Sequence, residues 1–162
     1  MPRAYPGSCR GRAMESRRKG DALRLDMARA LSEVDMPISY VETGTDEPGE
    51  KVISADVLLS NIGDAVLGRK EIETVSYVLA AVLDDARQHV THVVRGADLV
   101  DITGLQVVLQ RLFGLSTPVY HHHVLIRDAS GKRLAKRDDA RAISTYRAAG
   151  KSVSNLRAMV GL

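Results

Sequence analysis

The sequence predicts an α/β fold, and three patterns along the chain support this prediction. Apolar runs that alternate or continue over several residues indicate strands, and segments with 3.6-residue apolar spacing indicate amphipathic helices. In the second half of the chain these segments follow the order strand, strand, helix, strand. Further helical segments follow a basic loop near the C-terminus. This order is typical of half of a nucleotide-binding α/β layer.

The residue pattern in the N-terminal part of the chain predicts a small β-rich region. Residues 38–44 (ISYVETG) alternate apolar and polar side chains like a half-buried strand, and the acidic TDEPGE after them indicates a turn. Residues 65–71 (AVLGRKE) predict another short strand. Residues 22–31 (ALRLDMARAL) fit both the period of a strand and that of a helix, so their assignment stays open.

The central segment predicts three strands and a helix. Residues 76–86 (SYVLAAVLDDA) are almost continuously apolar, which favours a strand buried on both faces, with Asp84 and Asp85 in a strand-terminal turn that caps the following segment. Residues 91–99 (THVVRGADL) and 118–126 (PVYHHHVLI) predict the other two strands. Asp101 or Thr103 is expected to cap the helix between them. Its apolar stripe consists of Leu105, Val108, Leu109 and Leu112.

The C-terminal segment predicts a helical pair. Asp138 or Asp139 is expected to cap a first helix that runs to Ala149 and stops at Gly150. Ser152 or Ser154 is expected to cap a second helix that ends before Gly161.

Charge and composition narrow the classes of function. The net charge of +3 conceals two basic zones, residues 1–29 and 127–151, which each hold eight basic and three acidic residues. Such zones attract polyanions, while an aromatic content of 4% argues against a platform for stacking single-stranded bases. The sequence holds neither a membrane-spanning apolar run nor a secretory signal. A single cysteine, Cys9, excludes an internal disulfide and fits a reducing compartment, so we expect a cytoplasmic protein.

Several motifs together resemble one known family. Residues 76–99 (SYVLAAVLDDARQHVTHVVRGADL) and 114–140 (GLSTPVYHHHVLIRDASGKRLAKRDDA) are similar to the C-terminal half of the catalytic domain of class I glutamyl-tRNA synthetases. With residues 5–11 (YPGSCRG) and ALRLDMARAL, the chain looks most like the short paralogues that lack an anticodon-binding domain and act on the queuosine of tRNA(Asp). The resemblance implies the second half of a Rossmann-like domain, preceded by a small β-rich insertion region and followed by a helical C-terminus.

The same resemblance implies three parts with different tasks. Residues 1–70 would be a β-rich remnant of the acceptor-binding and zinc subdomain. Residues 71–140 would be the second half of the Rossmann-like catalytic domain, with its KMSKS-like loop. Residues 141–162 would be the C-terminal helical segment.

The resemblance also assigns candidate site residues. RLAKR, residues 133–137, aligns with the KMSKS signature, so Lys136, with Arg133 and Lys132, is expected to bind the phosphates of ATP, which would carry Mg²⁺. Clustered cations on a loop stabilise charge that develops on pyrophosphate. Tyr77 and Arg95 keep the family's spacing for residues that contact glutamate, and a guanidinium and a phenol suit a carboxylate.

Metal binding is expected to be incomplete. Tyr5 and Cys9 match two of the four zinc ligands of the short paralogues, and the matching Cys-x-Cys pair is absent from the sequence. Two ligands rarely hold structural zinc. In the HHH run only His121 and His123 would share a strand face, and no further ligands are evident near them.

Two functional hypotheses follow. The first is an ATP-dependent synthetase that activates glutamate and passes it to tRNA. The second is a noncatalytic tRNA-binding or RNA-binding remnant, because the family's HIGH signature has no equivalent in this sequence. On this reading the chain is a fragment, inactive alone and prone to associate with a missing N-terminal half through an exposed strand edge.

Overall fold

The computed structural model describes residues 5–70, 74–128, 130–134 and 142–161. They belong to two compact units, Met1–His123 and Val124–Leu162. The predicted division at residues 70 and 140 stays a prediction. The described α-helices and strands of the first unit are β1 Leu23–Arg24, α1 Met27–Ser32, β2 Ile38–Glu42, β3 Gly49–Ile53, α2 Ala55–Val57, β4 Val66–Gly68, α3 Tyr77–Arg87, β5 His92–Gly96, α4 Val100–Leu112 and β6 Val119–His123.

A four-stranded mixed sheet in the order β3-β2-β6-β5 organises the first unit. β2 and β3 form an antiparallel hairpin, and β6 lies parallel to both β2 and β5. Parallel neighbours require a crossover, which α4 provides between β5 and β6. The α/β class and the three strands predicted at residues 38–44, 91–99 and 118–126 are therefore confirmed.

One predicted strand is a helix. The apolar run 76–86 forms most of α3, which begins after Ser76, whose hydroxyl accepts a hydrogen bond from the Leu79 N–H. Asp84 and Asp85 consequently lie inside the helix and do not form a strand-terminal turn. The segment was predicted as a strand because it is almost continuously apolar, and periodicity alone cannot distinguish a short apolar helix from a buried strand.

The ambiguous segment ALRLDMARAL contains both kinds of element. Leu23 and Arg24 form β1, which pairs with β4, and α1 begins at Met27 after the Asp26 cap. The short strand predicted at residues 65–71 corresponds to β4.

Helix α4 lies at the centre of the core. Val107, Val108 and Leu109 are fully or almost fully buried, and the helix packs against α3 and β2. The predicted caps are wrong: α4 continues from a 3₁₀ turn at Ala97–Leu99, which places Asp101 and Thr103 within the helix. At the sheet's edge β5 pairs only with β6 within the described residues, and Val94 on this strand is exposed.

The second unit contains two short helices, α5 Ile143–Ala148 and α6 Val153–Met159. α6 has the predicted Ser152 cap, reinforced by Asn155 in a capping box. α5 stops at the predicted place but starts after Ala142, not after Asp138 or Asp139, which lie outside the described residues. No helix in the described ranges is long and apolar enough to span a membrane.

Candidate functional site

Tyr77 and Arg95 line one open depression at the edge of the first unit. Tyr77 is the first residue of α3 and is 58% exposed, whereas Arg95 lies on β5 and is only 9% exposed. The depression has a volume of about 450 Å³, and its wall also includes Asp84, Asp85 and His92. The structure thus brings together the two residues that the sequence singled out, although Tyr77 comes from a helix.

The Arg95 guanidinium is held by a ring of hydrogen bonds. Its Nη1 donates to Gln106 Oε1 at 2.7 Å and its Nη2 donates to Thr103 Oγ1 at 2.8 Å. Nη2 also donates to the Leu99 carbonyl at 3.4 Å, and the guanidinium lies over the Tyr120 ring at 5.0 Å. These contacts fix the cation in a buried position beside the depression.

A histidine and a carboxylate complete this ring. Arg95 Nε donates to His122 Nε2 at 2.9 Å, and His122 Nδ1 forms a hydrogen bond with Glu42 Oε2. Glu42 and His122 are each 1% exposed. Glu42 Oε1 also accepts hydrogen bonds from the backbone N–H groups of Thr43, Gly44 and His122.

Hydrogen bonding dominates the electrostatics of Glu42. Burial by itself raises the pKa of this carboxyl, but the bonds from the His122 backbone, the His122 imidazole and the Gly44 N–H lower it to about 2. Gly44 lies so close to β6 that a Cβ added at this position would be only 2.7 Å from the backbone nitrogen of His122. The lack of a side chain at Gly44 therefore allows the close approach that these bonds require. Across the depression, burial raises the pKa of Asp85, while the charge of Arg95 opposes that shift.

Sequence reasoning missed Glu42 and His122 as site residues. One available signal was strand alternation, which separates His122 from His121 and His123 and places Glu42 on the same face as buried Ile38 and Tyr40. Their pairing was not predictable in the same way, since 80 residues separate them.

The basic loop forms part of the second unit. Arg127 and Arg133 form an antiparallel bridge, and Asp128 Oδ1 accepts hydrogen bonds from Ser130 and from the Lys132 backbone. Hydrogen bonds from the Ser130 hydroxyl and the Lys132 N–H lower the pKa of Asp128. This turn presents Lys132 and Arg133, whereas Lys136 lies outside the described residues.

The two candidate zinc ligands are neighbours but do not form a site on their own. Tyr5 Oη accepts a hydrogen bond of 2.6 Å from the backbone N–H of exposed Cys9. Among the described residues, no three His, Cys, Asp or Glu side chains cluster in a way that could hold a metal, the HHH run included. Two donors supply half of a tetrahedral zinc shell, so the residues present do not fit a structural zinc ion.

An arginine-rich cavity of about 590 Å³ lies in the N-terminal region. Three of its arginines form ion pairs: Arg10 with Asp64 at 2.8 Å, Arg12 with Asp21 at 2.7 Å and Arg29 with Glu33 at 4.0 Å. The wall contains five arginines, Arg10, Arg12, Arg17, Arg24 and Arg29.

Comparisons with known proteins give the family context. The model of the family "tRNA synthetases class I (E and Q), catalytic domain" matches residues 41–162. A glutamyl-Q tRNA(Asp) synthetase of Rhodobacter capsulatus is 51% identical over 98% of this chain and 56% of its own length. One of Verminephrobacter eiseniae is 37% identical over 88% of this chain and 46% of its own. The chain therefore spans about half the length of the curated relatives it matches.

A solved structure agrees with this assignment. A glutamate tRNA ligase from Elizabethkingia meningosepticum, crystallised in complex with its amino acid, is similar with a TM-score of 0.50 and 25% identity. The match covers 68% of this chain and 23% of that one. With the family model matched over most of its residues, the chain belongs to the class I glutamyl- and glutaminyl-tRNA synthetase family and corresponds to part of its catalytic domain.

Proposed function

We propose that this chain provides the glutamate-recognition portion of an ATP-dependent synthetase that activates glutamate and transfers it to tRNA. The relatives at 51% and 37% identity are named for glutamyl-Q tRNA(Asp), which makes the queuosine of tRNA(Asp) the proposed acceptor. A cytoplasmic location, suggested by the sequence, is part of this proposal.

The observation that carries the proposal is the shared depression of Tyr77 and Arg95. A buried, fixed cation beside an exposed phenol suits a carboxylate of a small ligand. Four of the five Arg95 N–H groups are engaged within the protein. A glutamate carboxylate would therefore receive one Nη1 N–H and the positive charge, with the Tyr77 hydroxyl as a second donor.

The loop cations have a separate task in this proposal. Lys132, Arg133 and Lys136 would contact the phosphates of ATP, whose oxygens would carry Mg²⁺, and cations there stabilise the negative charge of departing pyrophosphate. A carboxylate oxygen of glutamate attacks the α-phosphorus, and the bond to pyrophosphate breaks. An acceptor hydroxyl on tRNA then attacks the glutamyl carbonyl, and AMP leaves. Zinc enters no step, because Tyr5 and Cys9 would need two further ligands.

Glutamate-dependent exchange of labelled pyrophosphate into ATP tests the proposal. The chain alone should be inactive, and a form extended upstream to supply the HIGH-containing half that the family resemblance implies should be active. In the extended form, Arg95→Lys and Tyr77→Phe should raise KM for glutamate, with a tenfold or larger effect for Arg95→Lys, because charged hydrogen bonds contribute more than neutral ones. Lys136→Ala should lower the exchange rate.

A matched control separates site effects from general damage. Arg111→Lys changes an exposed arginine on α4 outside the depression and should leave both kinetic constants unchanged. An inactive extended form, or equal effects of Arg111→Lys and Arg95→Lys, would contradict the proposal.

Noncatalytic RNA binding is the second candidate, and the arginine-rich cavity favours it. Since Arg10 and Arg12 already pair with aspartates, the net positive charge of this wall is smaller than its arginine count suggests. If the extended form is inert yet binds tRNA with an affinity that falls steeply with salt, this alternative replaces the first.

A further inference from the structure

A buried polar chain runs from β2 through β6 to β5. It consists of the Glu42 carboxylate, the His122 imidazole and the Arg95 guanidinium, in that order. All three are at least nine-tenths buried, and each lies on a different strand of the mixed sheet. Only Arg95 among them lines the depression that contains Tyr77.

The hydrogen bonds determine the proton position on His122. A guanidinium only donates hydrogen bonds, so the His122 Nε2 atom that faces Arg95 Nε must accept. The ring proton then lies on Nδ1, where it is donated to Glu42. The imidazole is therefore neutral, and it separates the carboxylate from the arginine.

This separation has a consequence for the arginine. A direct contact between Glu42 and Arg95 would occupy the cation with an internal carboxylate. With a neutral ring between them, Glu42 orients His122, and His122 orients the guanidinium without neutralising it. One Nη1 N–H of Arg95 has no acceptor among the described residues, and Arg95 is one of the residues that line the depression.

We propose that Glu42 and His122 are positioning residues that hold Arg95 in the orientation in which it receives a carboxylate of the amino-acid substrate. This inference rests on the proposed function, because it deepens the role given there to Arg95. Neither residue lines the depression, so both act through the arginine.

Two substitutions of His122 distinguish positioning from simple packing. In His122→Gln the amide oxygen reaches the place of Nε2 and still accepts from Arg95. In His122→Asn the shorter amide retains a donor toward Glu42 but leaves Arg95 Nε without an acceptor. Pyrophosphate exchange in the extended form should show KM for glutamate raised about tenfold or more in His122→Asn, with KM for ATP unchanged and substantial recovery in His122→Gln.

Glu42→Gln tests the same chain from its far end. A glutamine still accepts from the backbone N–H groups, but its amide opposes the Nδ1 proton and favours the other tautomer, which turns a donor toward Arg95. KM for glutamate should rise although the altered residue does not touch Arg95. Asp64→Asn is the matched control, because Asp64 is a comparably buried carboxylate in a different network, and its KM should equal that of the unaltered protein.

The tautomer provides a readout that does not depend on activity. Two-bond ¹H–¹⁵N correlations on the chain itself should show His122 as the neutral Nδ1–H form at pH 7. A proton on Nε2 would overturn the inference whether or not the extended form activates glutamate.

A wild-type KM in folded His122→Asn and Glu42→Gln would overturn it as well. An extended form that shows the expected tautomer but no exchange contradicts the proposed function, and the positioning role with it, while leaving the hydrogen-bonded chain intact.

Discussion

Two regions of the first unit join an arginine to a buried carboxylate, and they do so in opposite ways. Asp64 is 4% exposed and receives two direct hydrogen bonds from Arg10, whose side chain is half exposed. Glu42 reaches the buried Arg95 only through His122. In the first region the charges satisfy each other, whereas in the second a neutral ring keeps the cation available. The difference suggests that Asp64 stabilises the fold, whereas Glu42 both stabilises the fold and positions Arg95 for a ligand.

The largest difference is expected when each carboxylate is removed. Glu42→Ala removes the acceptor of the Gly44 and His122 backbone N–H groups and deprives buried Arg95 of its supporting chain, so the free energy of unfolding should fall by about 3–5 kcal/mol. Asp64→Ala orphans mainly the Met27 N–H, since Arg10 can turn to water, and should cost about 1–3 kcal/mol. Urea unfolding at pH 7 measures both losses.

The ranking of these two variants is the critical result. If Asp64→Ala destabilises the chain as much as Glu42→Ala, burial of the partner arginine does not determine how much free energy of unfolding is lost. The contrast between the two regions would then be wrong.

Acid should weaken the Glu42 region. The pKa of Glu42 is about 2 in the folded chain and near 4.5 when unfolded, so its contribution is fully present above about pH 5 and is lost as the pH falls toward 2. The shift corresponds to a loss on the order of 3 kcal/mol. Urea unfolding between pH 7 and pH 2.5 should show a steeper decline for the unaltered chain than for Glu42→Gln, which has no carboxyl to protonate.

Other carboxylates do not confuse this comparison. Hydrogen bonds from Arg18 and Arg12 lower the pKa of Asp21, and hydrogen bonds lower that of Asp128, but both residues are present in the two proteins. Parallel pH dependence in the unaltered chain and Glu42→Gln would show that Glu42 titrates normally.

The sequence could predict features that depend on neighbouring residues. Local patterns were sufficient for β2, β5, β6 and the Ser152 cap of α6, because alternation and capping depend on neighbouring residues. The run in α3 was misassigned because its apolar residues are consecutive from Tyr77 to Leu83, as they also are in a strand buried on both faces.

The candidate site was only partly accessible to sequence reasoning. Arg95 and Tyr77 were named through the family resemblance, and the structure places both at one depression. The supporting Glu42 and His122 depend on the pairing of β2 with β6, which only the folded sheet establishes. Arg10 and Asp64 are likewise 54 residues apart, so the sequence counted Arg10 as a cation available to a polyanion.

The smallest effect is expected for Arg10→Ala, and its salt dependence distinguishes the two regions. Because the Arg10 side chain is half exposed, its bridge to Asp64 is screened as NaCl rises from 0.1 to 1 M and the Debye length falls from about 10 to about 3 Å. The difference in urea midpoint between Arg10→Ala and the unaltered chain should therefore shrink over that range. For His122→Asn the difference should remain, since water and ions do not reach the bond between His122 and Arg95. Equal salt responses in the two variants would mean that the Arg95 region is open to solvent. The neutral His122 ring would then no longer be needed to explain how Arg95 stays available to a carboxylate.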